Sequence, residues 1–210
     1  MTSTPHHARE VHELSEEDRL RAQFYGMIAQ FLSEPPSAER LKAGGLLTGD
    51  DTPLGAAVAT FARVCARCDE VSASDEYHEL FIGLGRGELL PFASYYLTGF
   101  LHEKPLAKLR QDMAELGIVQ PEGVTEPEDH AASVLEAMSG LIDGRFGQPH
   151  SLSEQKKFFD AHIASWMPVF FRDLEGASAS VLYASLAQVA RHFLDIEADG
   201  FAFEAGNKAP

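Results

Sequence analysis

Apolar residues recur at steps of three and four positions along most of this chain, and this spacing constrains the fold more than any other feature. A clear example is the run Leu54, Val58 and Phe61, which has the period of one face of an α-helix. We find no alternation of apolar and polar residues long enough for a useful β-strand, and no internal repeat. The sequence therefore predicts an all-α fold of about eight to ten helices.

Capping residues and helix breakers predict where several helices begin and end. Ser15 precedes the acidic residues of a first helix, and the Pro35-Pro36 pair ends that helix. Gly117 is expected at the position just after the end of another helix. Further helix starts are predicted at Ser74 and at a capping box from Thr125 to Glu128.

One long helix is predicted from Ser151 to about Glu175. Pro168 falls inside this range and is expected to kink the helix, because proline removes a backbone donor from the interior. His162, Trp166 and Phe170 repeat every four residues within it. We interpret these three side chains as core, with His162 hydrogen-bonded at the edge of that core.

A segment rich in turn-forming residues divides the chain. Pro121 and Gly123 lie in the stretch 117–125, which makes the clearest internal break. The break separates residues 15–116 from residues 126–204, and we expect a flexible tail at 1–14 and a loose tail at 205–210.

The charge of the chain limits its partners. The sequence has 17 basic and 32 acidic residues, for a net charge of −15. Such a chain is repelled by nucleic acid phosphates and by anionic lipid, so we expect neither as a partner. No apolar run reaches the ~20 residues needed to cross a bilayer, and the first residues do not resemble an export signal. We therefore expect a cytoplasmic protein with a cationic partner.

Two cysteines form a Cys-x-x-Cys pair at Cys65 and Cys68. The pair continues the apolar stripe of Leu54, Val58 and Phe61, and a zinc site would need two further ligands. We therefore expect both thiols to be buried and reduced, without a metal or redox role.

A first candidate motif combines Tyr77, Leu80 and Phe81, which share one helix face. This spacing is most often a core stripe. The same face could instead bind an apolar segment of a partner, because a glycine-rich loop, residues 83–87, follows it. That glycine tract lacks the features of a phosphate-binding loop, so we interpret it as a turn.

A second candidate motif is the run Glu126, Pro127, Glu128, Asp129 and His130. Carboxylates are favoured in the first turn of a helix, because they are attracted to the positive end of the helix dipole. The histidine has no such explanation and could recognise an arginine or a backbone amide. At an exposed helix start, the loss of one such group is expected to cost only about 1 kcal/mol.

Motifs typical of enzymes are missing from the sequence. There is no Gly-x-Ser-x-Gly elbow and no His-Glu-x-x-His motif, and a single Asp75-x-x-His78 does not make a di-iron site. We therefore expect neither catalysis nor a cofactor or metal. The alternative is a helical metal-dependent or nucleotide-dependent enzyme that uses Asp129 and His130.

The two motifs together resemble the signatures of the TorD family of cytoplasmic chaperones for molybdenum enzymes. The first signature reads Tyr77, Leu80, Phe81 and Gly83, and the second is complete as Glu126, Pro127, Asp129 and His130. The resemblance covers roughly residues 15 to 200. It departs at Leu84, where the family often has proline.

The resemblance implies an all-helical fold of two lobes, residues 15–116 and 126–204, with residues 117–125 as the hinge. It allows a monomer or a domain-swapped homodimer. It also implies binding to the twin-arginine signal peptide of a molybdoenzyme precursor, of the formate dehydrogenase or TMAO/DMSO reductase type. The predicted peptide-binding residues are Leu80, Phe81, Pro127, Asp129 and His130, together with Tyr77 and Glu126 from the same motifs.

Overall fold

The computed structural model describes residues 14–83, 87–119 and 126–207, with side chains as far as Phe203. Within these ranges the chain forms ten α-helices and one π-helix, and its only β-pairing is an isolated bridge between Phe92 and His130. The predicted all-α fold is therefore confirmed. The helices are α1 Glu16–Ser33, α2 Ala38–Gly44, α3 Pro53–Cys65, α4 Glu70–Tyr77, the π-helix His78–Ile82, α5 Ala93–Thr98, α6 Lys104–Glu115, α7 Ala131–Asp143, α8 Leu152–His162, α9 Met167–Gly176 and α10 Leu182–Asn207.

Side-chain caps begin several of these helices. The Ser15 side chain accepts a hydrogen bond from the Asp18 amide at the start of α1, as predicted. Ser151 and Glu154 form a reciprocal capping box at the start of α8. Gly117 has a φ of 72°, which confirms its predicted position after α6, because L-residues with side chains rarely adopt this conformation.

Helix α7 lies at the centre of the molecule. Ten of its thirteen residues are buried, as expected for a helix with packing partners on all sides. Its main neighbour is α1, and the Ser139 hydroxyl donates to the Ala22 carbonyl between the two helices at 2.9 Å. Helix α10 packs against α3 and α9.

The two predicted lobes share one hydrophobic core. Helix α1 of the first lobe packs on α7 of the second, and α3 packs on α10. The hinge at 117–125 stays a prediction, and residues 120–125 lie outside the described residues. The predicted tail at 1–14 also lies outside them, except for Leu14. At the other end α10 continues to Asn207, past the predicted start of the C-terminal tail.

Three predicted helix boundaries are wrong. Helix α4 begins after the cap Asp69, not at Ser74. Helix α7 begins at Ala131, so Glu126 and Glu128 are not in its first turn and the predicted capping box does not begin it. The long helix is two helices separated by a turn, with Pro168 in the first turn of α9. A proline fits there without strain because the first helical amides need no intrahelical acceptor.

The sequence predicts that Leu20, Phe24, Met27, Ile28 and Phe31 share the apolar face of α1. Ile28 and Phe31 are buried and Phe24 and Met27 pack against the core, but Leu20 is 51% exposed. The prediction is therefore wrong for Leu20. Over the described residues no helix combines the length and the apolar character required to cross a membrane.

Candidate functional site

The first motif lies where α4 passes into the π-helix. The Gly83 amide donates to the His78 carbonyl at 2.7 Å, five residues back, which is the wider turn of a π-helix. Tyr77, Leu80 and Phe81 are all buried, and Leu80 is completely so. The rings of Tyr77 and Phe81 pack on Tyr183 of α10, with centroids 6.0 and 5.3 Å away. The face formed by Tyr77, Leu80 and Phe81 is therefore part of the core.

Glu76, one residue before this face, stabilises the start of α10. Its carboxylate accepts hydrogen bonds from the amides of Val181, Leu182 and Tyr183 at 2.8, 3.1 and 2.8 Å. A negative charge is attracted to the positive end of the helix dipole at the N-terminus, and the carboxylate satisfies amides that have no intrahelical partner. This role was not predictable from the sequence, because no local pattern links residues more than 100 positions apart.

The second motif pairs with the segment that follows the glycine-rich loop. The Ala93 amide donates to the Asp129 carbonyl at 2.9 Å, and the Ala131 amide donates to the Pro91 carbonyl at 2.8 Å. These bonds flank the antiparallel bridge between Phe92 and His130. The start of α7 is therefore attached to the start of α5.

Asp129 reinforces this attachment through its side chain. The carboxylate Oδ2 accepts a hydrogen bond from the Ser94 amide at 2.8 Å, in the first turn of α5. Asp129 is 1% exposed, and its Oδ1 has no partner among the described residues. The prediction of an exposed acid at this position is wrong, because the paired segments enclose the carboxylate.

His130 caps α7. Its Nδ1 accepts a hydrogen bond from the Ala132 amide at 3.2 Å, so the neutral imidazole carries its proton on Nε2. The ring packs edge-on against Phe92 with centroids 5.1 Å apart. Burial lowers the pKa of His130 to about 4, which keeps it uncharged near neutral pH. The prediction of an exposed His130 is therefore also wrong.

Residues 87–93, which we call the linking segment, connect the two motifs. On one side the Leu89 amide donates to the Leu80 carbonyl at 2.8 Å and the Glu88 amide to the Glu79 carbonyl at 3.2 Å. On the other side the segment pairs with residues 129–131. A Cβ atom on Gly87 would lie 2.5 Å from the Phe81 carbonyl carbon, so the approach requires glycine. The structure thus joins both motifs through backbone bonds.

The acidic residues before Asp129 differ in exposure, and the Glu128 side chain is only 13% exposed. Glu126 is exposed and Pro127 is half-buried. Glu128 forms an ion pair with Arg110 of α6 at 2.7 Å, and this guanidinium lowers the pKa of Glu128. Burial raises the pKa of Tyr77 to about 12, with a further contribution from the negative charge of Glu126. We call residues 126–128 the acidic turn, and its charge therefore acts close to the first motif.

His162, Trp166 and Phe170 were predicted to be core residues, and the structure confirms this. The His162 Nε2 lies 2.7 Å from a carboxylate oxygen of Asp112, and the Trp166 indole donates to the His162 carbonyl at 2.7 Å. Tyr96 packs on the rings of Trp166 and Phe170, with centroids 5.6 and 5.8 Å away. These contacts connect α5, which follows the linking segment, to α9.

The cysteines differ from each other in burial. Cys65 is the last residue of α3 and is 2% exposed, while Cys68 lies beyond the helix and is half-buried. Both are free thiols. Burial raises the pKa of Cys65 to about 12 and also raises the pKa of Cys68. The expectation that both thiols continue one buried helix face is correct for Cys65 only.

A buried ionic network between α1 and α10 was not predicted. Arg21 forms two hydrogen bonds with the Glu197 carboxylate, at 2.7 and 2.9 Å, and Tyr25 donates to the same carboxylate at 2.9 Å. Arg21 and Tyr25 are four positions apart and therefore share one face of α1. This spacing was the available signal for the network. Within the described ranges no group of three or more His, Cys, Asp or Glu residues is arranged to hold a metal ion.

The chain has an all-helical fold in which backbone hydrogen bonds join the two motifs. These two features can be compared with those of known proteins. The family described as nitrate reductase delta subunit matches residues 47–172, which is 126 of 210 residues. The chain belongs to this family, and the predicted relationship to the TorD proteins is confirmed.

Named relatives agree with this assignment. The chaperone protein TorD of Vibrio cholerae is 28% identical over 132 residues, or 60% of each chain. The matched stretch thus spans about 60% of the length of that relative. TorD of Aliivibrio fischeri is 27% identical over 181 residues, covering 76% of this chain and 84% of the relative.

A solved structure shares the fold. It is the crystal structure of a protein from Archaeoglobus fulgidus assigned to redox enzyme maturation. It aligns with a TM-score of 0.56 and 20% sequence identity, covering 90% of this chain and 99% of that one.

Proposed function

We propose that this protein is a non-catalytic cytoplasmic chaperone that binds the apo form of a molybdoenzyme precursor through its twin-arginine signal peptide. Membership of the family and the relatives named chaperone protein TorD support this proposal. The client is of the formate dehydrogenase or TMAO/DMSO reductase type, and the chaperone assists cofactor insertion before export. It acts as a monomer or as a domain-swapped homodimer and has no cofactor of its own.

The observation that carries the proposal is the acidic turn, whose charge acts close to the first motif. Backbone bonds at residues 91–93 and 129–131 hold one end of the turn in place. Glu126 presents its carboxylate at the surface, where a guanidinium can pair with it in the planar, bidentate geometry that arginine favours. A net charge of −15 also attracts a cationic peptide at long range.

The seven predicted residues have different roles in this proposal. Glu126, which is exposed, and Pro127, which is half-buried, contact the arginine pair directly. Asp129 and His130 attach the acidic turn to the linking segment. Tyr77, Leu80 and Phe81 form the buried face to which the linking segment is also bound. These roles explain how buried residues can affect peptide binding without touching the peptide.

Calorimetry with three synthetic peptides tests the proposal. The peptides carry Arg-Arg, Lys-Lys or a scrambled order, each with the same apolar stretch, and are titrated at several salt concentrations. The Arg-Arg peptide should bind most tightly, and its advantage should shrink as salt screens partly exposed charges. Equal affinity for all three peptides would contradict the proposal, because it would indicate nonspecific attraction to an acidic surface.

Position-specific variants test the roles. Glu126→Gln should weaken Arg-Arg binding without changing stability, and Glu39→Gln, on the exposed surface of α2, is the matched control. Pull-down of the client from native lysate, with sequencing of its N-terminus, identifies which molybdoenzyme is bound.

A further inference from the structure

A large groove opens between the start of α1, the end of α10 and the loop before α8. Its volume is about 1880 Å³, well above the roughly 300–1,000 Å³ of small-molecule sites. Phe24, Phe193 and Phe201 lie on its apolar lining. The volume and the lining suit a polypeptide segment better than a small ligand.

Exposed apolar side chains project along this groove. Leu20, Ile196 and Phe203 are 51%, 53% and 71% exposed, and all three line it. Large apolar side chains collected on one open surface are typical of a binding site. By contrast, Leu80 and Phe81 are buried, so they cannot receive an apolar segment without rearrangement.

Acidic side chains surround the apolar lining. Glu16, Glu17 and Asp18 in the first turn of α1 lie on one side and Glu154 of α8 on another. Arg21 is the only Lys or Arg among the described residues that line the groove, and it is paired with Glu197 and Asp18. The groove is therefore complementary to an apolar segment that carries positive charge.

Helix α7 separates the groove from the acidic turn. The acidic turn comes just before its first residue, Ala131, and Ile142, near its end, lines the groove. The helix rises roughly 16 Å between these two residues, at about 1.5 Å per residue. One extended peptide can span that distance.

We infer that this groove binds the apolar segment of the signal peptide and its flanking cations, while the acidic turn binds the arginine pair. This inference rests on the proposed function and names the surface that takes the second part of the peptide. Charge disfavours two other occupants. A second copy of this chain would bring a net charge of −15 against the acidic rim, and an anionic membrane would be repelled in the same way.

A matched pair of triple variants tests the inference by calorimetry with the Arg-Arg peptide. The groove variant is L20S/I196S/F203S, and the control L46S/V71S/V181S replaces side chains that are 75%, 70% and 67% exposed elsewhere. All six positions are exposed, so both proteins should fold. We expect the groove variant to lose at least about tenfold in affinity, equivalent to roughly 55 Å² of lost apolar contact. The control should stay within about twofold of wild type.

A charge variant tests the rim separately. E16Q/E17Q should weaken binding and flatten its salt dependence, because two carboxylates no longer attract the peptide. Circular dichroism confirms that each variant is folded before titration.

The outcomes separate the two proposals. If wild type binds the peptide and the groove variant binds it equally well, the groove inference is overturned and the chaperone proposal stands. If wild type does not prefer the Arg-Arg peptide, both are overturned. A groove variant whose sedimentation shows a changed oligomeric state would show that a second copy occupies the groove, which also overturns the inference.

Discussion

Replacing Asp129 tests whether the second motif is a buried structural link. Asp129→Ala removes the acceptor of the Ser94 amide, a bond of 2.8 Å between residues that are 1% and 0% exposed. Asp129→Asn keeps an oxygen that can accept this bond. It replaces Oδ1, which has no partner among the described residues, with an amide nitrogen and removes the negative charge. The two variants therefore separate the hydrogen bond from the charge.

The expected magnitudes differ. A buried amide left without an acceptor costs about 1–3 kcal/mol, so Asp129→Ala should lower the free energy of unfolding by about 2 kcal/mol. Asp129→Asn should change it by less than about 1 kcal/mol, because the bond to Ser94 remains and one unpartnered polar atom replaces another. The sequence alone predicted a cost of about 1 kcal/mol for Asp129→Ala, since it placed the residue at an exposed helix start.

Urea unfolding followed by circular dichroism measures these differences. With a slope of about 2 kcal/mol per molar urea, Asp129→Ala should lower the midpoint by about 1 M. Asp160→Asn is the control, because it removes an ion pair with Lys156 whose side chains are 55% and 31% exposed, and a surface ion pair contributes ~1 kcal/mol or less. An Asp129→Ala midpoint within about 0.2 M of wild type would refute the structural role.

Three further predictions concern pH, the ionic network and the thiols. The pKa of His130 is lowered to about 4, so between pH 6.5 and 4 the unfolded chain binds a proton more readily than the folded one. The free energy of unfolding should therefore fall as the pH falls through this window. His130→Asn, which keeps a capping side chain, should weaken that dependence in urea titrations at several pH values. Arg21→Ala should cost about 3–5 kcal/mol in thermal or urea unfolding, because it leaves the buried Glu197 carboxylate without its cation. Cys68 should react with a thiol reagent faster than Cys65, whose pKa is raised to about 12 by burial.

Controls make each of these results decisive. An unchanged pH profile in His130→Asn would contradict the assigned cause. Arg191→Ala removes a more exposed ion pair with Glu175 and should cost far less than Arg21→Ala, so equal costs would contradict the burial argument. Equal labelling rates of the two thiols in the native state would contradict the difference in burial.

The sequence alone determined the helical class of this protein. Apolar spacing and capping depend on residues within about four positions of each other, so the cap of α1 at Ser15 and the glycine just after α6, Gly117, were predictable. The same spacing predicts a buried stripe in α7, and its members are all buried: Val134, Leu135, Met138, Leu141 and Ile142. It also carried the two motifs that indicated the family.

Tertiary structure decided how the motif residues are used. Asp129 and His130 are buried because the linking segment pairs with them, and that pairing joins residues more than 30 positions apart. Glu76 stabilises the start of a helix more than 100 positions away. Burial and capping across such separations depend on which surfaces meet in space, and the 3.6-residue period of a single helix contains no information about its neighbours.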